Sequence, residues 1–496
     1  MSASSPSVAL WQRTRPRPPR DPAGHDAART WLVGILAAGA VLRLLFMIAW
    51  EPAFMGWPDA KTYLLSAHGQ VFASVLRPAG YPIFLRLLDI VVPSFSVIIV
   101  VNHLLGLGAA ALLFFAVRRA GGPAALGLVP AAVVALGGDG VFLEHSPLSE
   151  PLFIFLVSLG LWCAARSLDR GRWAAAAGAA LALAATVRVV GLVLLPVLAV
   201  WLLAGMGGGW RRRALAVVVG LVGAGAVVGA YYGAEDVAIG QTGLSRAGAW
   251  HLYGRVAPFA DCSKFTPPPG TQQLCEATPR ARRPYTDDYI FNWWYSPAIR
   301  AFGGPGLATA AGTAAVRSFA IAVIEHQPME YVGEVTAGML RYVAPSSFRG
   351  AGGGPSYADF LDNLFSPPIG QDGLNTIRRY YGWGPRTFQV HQVVLDALRD
   401  WEAATRLQGP VMALLMLLSL AAPFVTTGRA RRMAGLLTLS AWALLVAPVA
   451  SLEFSARTAV PGFGALAGAA ALGGWGCAAF VRARLPATRR AATRRV

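Results

Sequence analysis

The stretch "WLVGILAAGAVLRLLFMIAW", residues 31–50, is the first long apolar run of this chain. Arg43 is its only charged residue, and about twenty mainly apolar residues are enough to cross the hydrocarbon core of a bilayer as a helix. The whole chain is 55% hydrophobic and 14% charged, which is more apolar and less charged than an ordinary soluble domain. The sequence therefore predicts an all-α polytopic membrane protein.

Other apolar stretches approach the same length, and together they predict a bundle of about ten transmembrane helices. The predicted spans are 31–50, 94–117, 121–138, 150–167, 172–187, 190–206, 213–232, 408–427, 433–451 and 459–482.

Arginines fall on alternate connections between these spans, and this pattern predicts the orientation of the chain. They lie at 13–29, 118–119, 166–172, 211–213, 429–432 and 482–495. By the positive-inside rule that side is cytoplasmic, which places both termini inside the cell membrane. The net charge of +18 is then explained by tails and short loops against an anionic inner leaflet, and it requires no nucleic acid.

The same orientation divides the chain into segments. We expect a disordered cytoplasmic tail, an N-terminal transmembrane module with a catalytic first external loop, a large external and partly helical insert, C-terminal transmembrane helices and a basic cytoplasmic tail. These segments are 1–30, 31–232 with the loop 51–93, 233–407, 408–482 and 483–496. Within the insert, residues 314–343 place apolar and charged residues at helical spacing, which predicts a helix on the membrane surface.

Two of the four cysteines lie in the external insert. Cys262 and Cys275 flank "SKFTPPPGTQQL", in a compartment where disulfides persist, so a bridge between them is expected. The alternative is a metal site, which would need two further ligands at matching spacing. His251 is the nearest candidate in sequence.

Charged residues recur at the predicted external ends of the spans. Asp59 follows the first span, and Glu150 begins a later one. Each can be explained as a helix-start carboxylate that caps the helix or complements its dipole. Arg188 and Arg457 also lie at external helix ends, and Arg43 lies within the first span, where a charge usually faces a partner or a cavity. Together they predict a cleft lined by acids and cations.

The sequence contains no G-x-G-x-x-G or P-loop motif that would bind a nucleotide, and no H-E-x-x-H or G-x-S-x-G motif. A large external insert without a nucleotide site is typical of a transporter, or of an enzyme whose substrate is already in the membrane. Asp287 and Asp288 in the insert could bind a cation, but a solvated pair of loop carboxylates is the simpler interpretation.

Several of these stretches resemble bacterial GT-C membrane glycosyltransferases, the group that includes protein mannosyltransferases and aminoarabinose lipid A transferases. The resemblance covers the first two hundred residues and, more loosely, the last fifty. It is carried by "LRLLFMIAW", "PDAKTYLLSA", "LRPAGYPIFLRLL", "SPLSEPLFIFL", "RVVGLVLLP" and "ARTAVPGFGAL".

The resemblance implies a reaction. A sugar would move from a polyprenyl-phosphate donor to an external glycan, lipid or protein acceptor, by an inverting single displacement on the outer face of the membrane. Asp59 would be the catalytic base, and Lys61, Arg77 and Arg457 would bind the donor phosphate. Arg43, Glu150 and Arg188 would support them. Lys61 has an alternative role, because a lysine near a membrane edge often extends to the interface.

The expected partners are therefore the lipid-linked donor, the acceptor and the membrane lipids. No cofactor is predicted, and the sequence leaves a divalent metal ion open. A transporter or lipid flippase is the alternative from another class, and it would be expected to show comparable halves or broken helices. A scaffold that binds a partner through the insert is a third possibility.

Overall fold

The computed structural model describes residues 22–347, 370–381 and 389–484, and these residues fold into an almost entirely α-helical protein. Six helices in this part of the chain are long and apolar enough to cross a membrane. The prediction of an all-α polytopic membrane protein is confirmed. The six spans are Asp26–Ala49, Phe95–Arg118, Glu150–Ser167, Trp210–Ile239, Gly428–Ser451 and Ala456–Arg484.

The count of spans differs from the predicted ten because several apolar stretches are short or bent. Two pairs of helices qualify only when joined across bends of 49° and 44°, which raises the count in the described residues to eight. These pairs are Ala124–Leu136 with Gly138–Glu144, and Gln392–Thr405 with Pro410–Val425. The breaks fall at Gly137 and at Gly409 followed by Pro410, and both residue types interrupt helices. Trp173–Val187 and Val189–Gly205 are apolar but shorter.

The described α-helices are numbered in chain order. They are α1 Pro22–Ala49, α2 Pro58–His68, α3 Gly80–Val91, α4 Phe95–Arg118, α5 Leu128–Leu136, α6 Gly138–Glu144, α7 Glu150–Ser167, α8 Trp173–Val187, α9 Leu194–Gly205, α10 Trp210–Ile239, α11 Gly248–Val256, α12 Thr286–Phe291, α13 Pro297–Phe302, α14 Ala310–His326, α15 Pro328–Leu340, α16 Gly370–Tyr381, α17 Gln392–Thr405, α18 Pro410–Val425, α19 Gly428–Ser451 and α20 Ala456–Arg484. Helix α1 begins inside the segment 1–30 that was predicted as a disordered tail. Residues 1–21 and 485–496 of the two predicted tails lie outside the described residues.

Two groups of helices form the bundle. In the first group α4, α7, α8 and α10 pack in succession, and in the second α20 packs against α18 and α19. Helix α20 also contacts α5, which joins the groups. Small residues let α8 and α10 approach closely: a Cβ on Gly178 would lie 2.0 Å from the carbonyl oxygen of Gly220. Such contacts are typical of helix packing in membranes, where there is little hydrophobic driving force between helices.

The segment between α10 and α18 has a hydrophobic core of its own. Trp250, Tyr253, Tyr289, Phe319 and Val323 are fully buried there, on α11, α12 and α14. The Cys262–Cys275 disulfide predicted from the sequence is present, with the two Cα atoms 5.9 Å apart. The segment is also tied to the end of α1 by a short antiparallel pair, β1 (Trp50–Glu51) with β2 (Gln389–Val390).

The stretch 314–343, predicted as one surface helix, forms parts of two helices. Helix α14 ends at His326 and α15 begins at Pro328, which is a favoured residue in the first turn of a helix. Helix α14 buries Phe319 and Val323 in the core of the insert. Helix α15 packs on α19, where a Cβ on Gly338 would lie 2.5 Å from Val449.

Candidate functional site

Asp59 is held by two arginines and does not cap its helix. It is the second residue of α2, and no side chain caps that helix. Its Oδ1 accepts hydrogen bonds from Arg77 Nε at 3.0 Å and Nη2 at 2.8 Å. Its Oδ2 accepts a bond from Arg457 Nη1 at 2.8 Å. Both oxygens of the carboxylate are therefore occupied by guanidinium groups.

Glu150 provides a second carboxylate to the same arginine. It is the first residue of α7 and is fully buried. Its Oε1 accepts bonds from Arg457 Nε and from Arg188 Nη1. The side chains of Asp59, Glu150, Arg77, Arg188 and Arg457, here called the ionic cluster, form one continuous network. Three cations and two anions give the cluster a formal charge of +1.

Two buried atoms of the cluster have no hydrogen-bond partner among the described residues. They are Arg457 Nη2 and Glu150 Oε2. Around them, Trp57 lies under Arg457, with its ring centroid 4.8 Å from Cζ. Arg188 Nη1 also donates to Ser149 Oγ at 3.2 Å, and this oxygen lies 3.1 Å from the hydroxyl of Tyr63. The cluster is thus held in place by its neighbours, and it still has one donor, Arg457 Nη2, and one acceptor, Glu150 Oε2, without a partner among the described residues.

The arginines determine the protonation state of Asp59. Burial alone would raise the pKa of this carboxyl, but Arg77 and Arg457 outweigh burial and hold the pKa well below its usual range. Asp59 is therefore ionised over the whole physiological range, and a carboxylate with so low a pKa is a weak proton acceptor.

Two of the predicted site residues lie outside the cluster. Lys61 is partly exposed and forms no ion pair with the described residues. Arg43 pairs with Glu144 through two bonds of 2.7 Å. Glu144 also lies 3.0 Å from Nδ1 of His103. Neither Glu144 nor His103 is predicted from the sequence. A charged residue inside a predicted span requires a partner, but the spacing of residues does not indicate which one.

An open apolar groove begins beside the ionic cluster. It has a volume of about 850 Å³ and lies between α3, α7, α8 and α10. Three of its lining residues are close in sequence to residues of the ionic cluster. Gly80 lies three residues after Arg77, Leu152 lies two residues after Glu150, and Val187 directly precedes Arg188. The remaining lining is mostly alanine, leucine, valine and aromatic side chains. A charged cluster and an apolar groove therefore meet at the same end of the bundle.

The insert covers the cluster from the other side. Arg246 donates its backbone N–H to the Val75 carbonyl at 3.1 Å, which ties the segment before α11 to the loop that carries Arg77. The hydroxyl of Tyr285 lies 3.4 Å from the carbonyl oxygen of Phe454, three residues before Arg457. Burial, and then the charge of Arg77, lower the pKa of His251 on α11 to about 4. Helices α11 and α12 thus lie over the loop and helix ends that form the cluster.

No group of three or more His, Cys, Asp or Glu side chains within 22–347, 370–381 and 389–484 is arranged to hold a metal ion. The carboxylates of the ionic cluster bind arginines instead.

Comparison with known proteins identifies no family for this chain. No protein-family model matches it, and no curated protein matches it. Among solved structures it is similar to the archaeal oligosaccharyltransferase AglB from Archaeoglobus fulgidus, solved in complex with an inhibitory peptide and a dolichol-phosphate. The TM-score is 0.43 and the sequence identity 13%, over 90% of this chain and 50% of that protein. The chain thus spans about half the length of AglB, and a likeness this distant leaves its family open.

Proposed function

We propose that this protein is a membrane glycosyltransferase of the GT-C type, which transfers a sugar from a polyprenyl-phosphate donor on the outer face of the cell membrane. The observation that carries the proposal is the junction between a net-positive ionic cluster and an open apolar groove. A polyprenyl-phosphate sugar has an anionic head and a long apolar chain, and it matches both halves of this junction.

The arginines are suited to the phosphate of the donor. A guanidinium group presents a planar fork of donors that fits phosphate oxygens. The Arg77 side chain is 30% exposed and can be reached by a ligand, and Arg457 Nη2 has no partner among the described residues. A phosphate that gains a second negative charge as it leaves the sugar would compete with Asp59 for both arginines. Their bonds to it would strengthen toward the transition state.

The groove is suited to the lipid chain. Its lining is apolar and begins next to Arg77, Glu150 and Arg188 in the chain, so a bound isoprenoid would hold its phosphate at the cluster. Because lipid tails are as apolar as the groove, its shape and not its hydrophobicity would select the chain.

Asp59 has two possible tasks in this reaction. The sequence predicts it as the base, and that assignment stays a prediction. Its contacts also support an orienting task, since one carboxylate holds Arg77 and Arg457 together. Lys61 stays a predicted phosphate ligand. It forms no ion pair with the described residues, so its ammonium group is available to a phosphate.

A second candidate function, transport, is favoured by one observation. Beside Arg43 and Glu144, His103 Nε2 lies 3.2 Å from His145 Nδ1, and His145 Nε2–H donates to the Trp50 carbonyl at 2.8 Å. Buried ionisable chains within a membrane often serve as proton relays. Proton uptake into proteoliposomes that is lost on His103→Gln would support transport, and its absence in the wild type would exclude proton coupling through this chain.

Donor binding tests the proposed function without knowledge of the sugar or acceptor. A short-chain polyprenyl phosphate and the matching polyprenol, which lacks the phosphate, would be titrated against the purified protein in nanodiscs. We expect the phosphate to bind at least about tenfold more tightly, since one or two charge-assisted bonds are at stake. Arg77→Gln should remove most of this difference, and Arg300→Gln, an exposed arginine of the insert, should leave it unchanged. Equal binding of the two lipids by the wild type would contradict the proposal.

A further inference from the structure

The transfer reaction needs a proton acceptor, and the contacts of Asp59 make it a poor one. Three guanidinium N–H groups occupy its two oxygens. An effective general base must reach the reacting hydroxyl and have a pKa near the working pH. The base should therefore be another carboxylate that lies near the same site and is free to accept a proton.

Asp287 has these properties. It is the second residue of α12, its side chain is exposed, and it forms no hydrogen bond or ion pair with the described residues. Two residues earlier, Tyr285 contacts the Phe454 carbonyl just before Arg457. Two residues later, Tyr289 is fully buried in the core of the insert. The first turn of α12 is therefore fixed at both sides, with Asp287 at the solvent-accessible surface above the start of α20.

The packing of α11 on α12 fixes this position further. A Cβ on Gly254 of α11 would lie 2.5 Å from the side chain of Ile290 and 3.1 Å from the carbonyl oxygen of Thr286. This contact leaves no space for α12 to move toward α11. Arg246 binds the segment before α11 to the loop of Arg77, so α12 is held to both sides of the ionic cluster.

We propose that Asp287 is the catalytic base that accepts the proton of the acceptor hydroxyl; this inference rests on the transfer reaction proposed above. The acceptor oxygen forms the new bond to the anomeric carbon and gives its proton to the Asp287 carboxylate. The bond from that carbon to the phosphate oxygen breaks, and its electron pair stays on the polyprenyl phosphate beside Arg77 and Arg457. Asp287 then releases the proton to the solvent, to which its side chain is exposed.

The charges around Asp287 are consistent with this role. The Asp287 carboxyl is in contact with solvent, but the protein around it removes part of its hydration, and this partial desolvation raises its pKa. Arg77 lowers the pKa, and Asp288 and Asp59 raise it again, with a net rise. Glu453, between α19 and α20, has its own pKa raised, by burial first and then by Asp287. Helix α11, packed on α12, carries His251 and Arg255. The pKa of Asp287 is thus raised and that of Asp59 is lowered, so Asp287 is the stronger base of the two. Such a difference is expected for two carboxylates with different tasks in one reaction.

Other carboxylates near the site are less suited. Asp288 accepts a hydrogen bond from Asn292 Nδ2 at 3.3 Å within its own helix. Glu453 is only 7% exposed and cannot be reached by an acceptor in this structure. Asp288 is therefore the matched control, because it has the same chemistry and is adjacent in the chain.

The test measures release of polyprenyl phosphate from a panel of polyprenyl-phosphate monosaccharides by the full-length protein in nanodiscs, between pH 4 and pH 9. Below the raised pKa Asp287 is protonated and cannot accept a proton, so we expect wild-type turnover to fall as the pH falls through that value. Asp287→Asn should lower turnover by about a hundredfold or more and abolish this acidic fall. Donor affinity should be unchanged, Asp287→Glu should keep part of the activity, and Asp288→Asn should stay within about twofold of the wild type.

Wild-type turnover and an unchanged acidic fall in Asp287→Asn would overturn the inference while leaving the proposed function intact. A wild-type protein that binds polyprenyl phosphate no better than polyprenol would instead refute the proposed function, and the inference with it. Equal thermal unfolding of the Asp287→Asn and Asp288→Asn proteins would show that a loss of turnover does not reflect misfolding.

Discussion

Arg457 donates a 2.8 Å hydrogen bond to Asp59, which lies 398 residues earlier in the chain. The same guanidinium binds Glu150 through Nε. One arginine at the start of α20 thus connects α2 with α7, and it brings the two ends of the sequence into one site.

Loss of Arg457 should destabilise the protein. Arg457→Met leaves Glu150 fully buried with Arg188 as its remaining ion-pair partner, and removing one partner of a buried pair typically costs about 3–5 kcal/mol. The expected result is a clear drop in the thermal unfolding temperature. Arg482→Met, at the exposed end of the same helix, should change it little. Adding Glu150→Gln to Arg457→Met should recover part of the loss, and strictly additive effects would refute the coupling.

Asp59→Asn should separate donor binding from turnover. The amide keeps the shape of the side chain but no longer neutralises Arg77 and Arg457, so these arginines attract a phosphate at least as strongly as before. Their orientation is lost, however, and turnover should fall by about a hundredfold or more. Binding of a short-chain polyprenyl phosphate and release of phosphate from the donor would be measured on the same preparation. Weaker binding with unchanged turnover is the opposite pattern and would contradict this account of Asp59.

A bulky residue in the apolar groove should block the lipid chain. Ala226 of α10 lines the groove, and Ala226→Trp would fill part of its volume. We expect weaker binding of a long polyprenyl phosphate, with little effect on inorganic phosphate, which needs no groove. Leu221→Trp is the control, because Leu221 is 55% exposed on α10 and does not line the groove. Equal binding of the long lipid by both variants would place the chain elsewhere.

The orientation predicted from the arginines places the insert outside the cell. A label near Gly353, in the middle of the predicted insert, would lie outside the described residues, whereas Gly306 is exposed with open space around it. In Gly306→Cys the new thiol should react with an impermeant reagent in intact cells. Cys262 and Cys275 are bridged and Cys163 is buried, so they provide little background. Cys477 is free and half-buried on α20, and it would be replaced by serine in both the labelled and the control proteins. Labelling only after permeabilisation would show that the insert is cytoplasmic.

Much of the site could be anticipated from the sequence. A charge at the end of an apolar helix is costly without a partner, and this rule singled out Asp59, Glu150, Arg188 and Arg457, which the structure brings together. The partner of Arg43 could not be anticipated, since Glu144 lies 101 residues away and hydropathy carries no information about pairing between helices.

The sequence also does not predict how the insert packs against the ionic cluster. In the sequence, Asp287 and Asp288 are two adjacent carboxylates that nothing distinguishes. Their surroundings differ only in the folded protein, where Tyr285 contacts the Phe454 carbonyl and Tyr289 packs in the core of the insert. The bent spans were missed for a related reason. A glycine such as Gly137 interrupts a helix at one residue, but the apolar character continues across the break.

If the ionic cluster stabilises the departing lipid phosphate, the purified protein should release polyprenyl phosphate from a polyprenyl-phosphate monosaccharide. We expect release by the wild type for at least one sugar of a panel. Arg77→Gln should lower this release by about a hundredfold or more, and Arg300→Gln should leave it unchanged. No release by the wild type with any sugar, or equal release by the wild type and Arg77→Gln, would contradict the claim that the ionic cluster binds and stabilises the departing lipid phosphate.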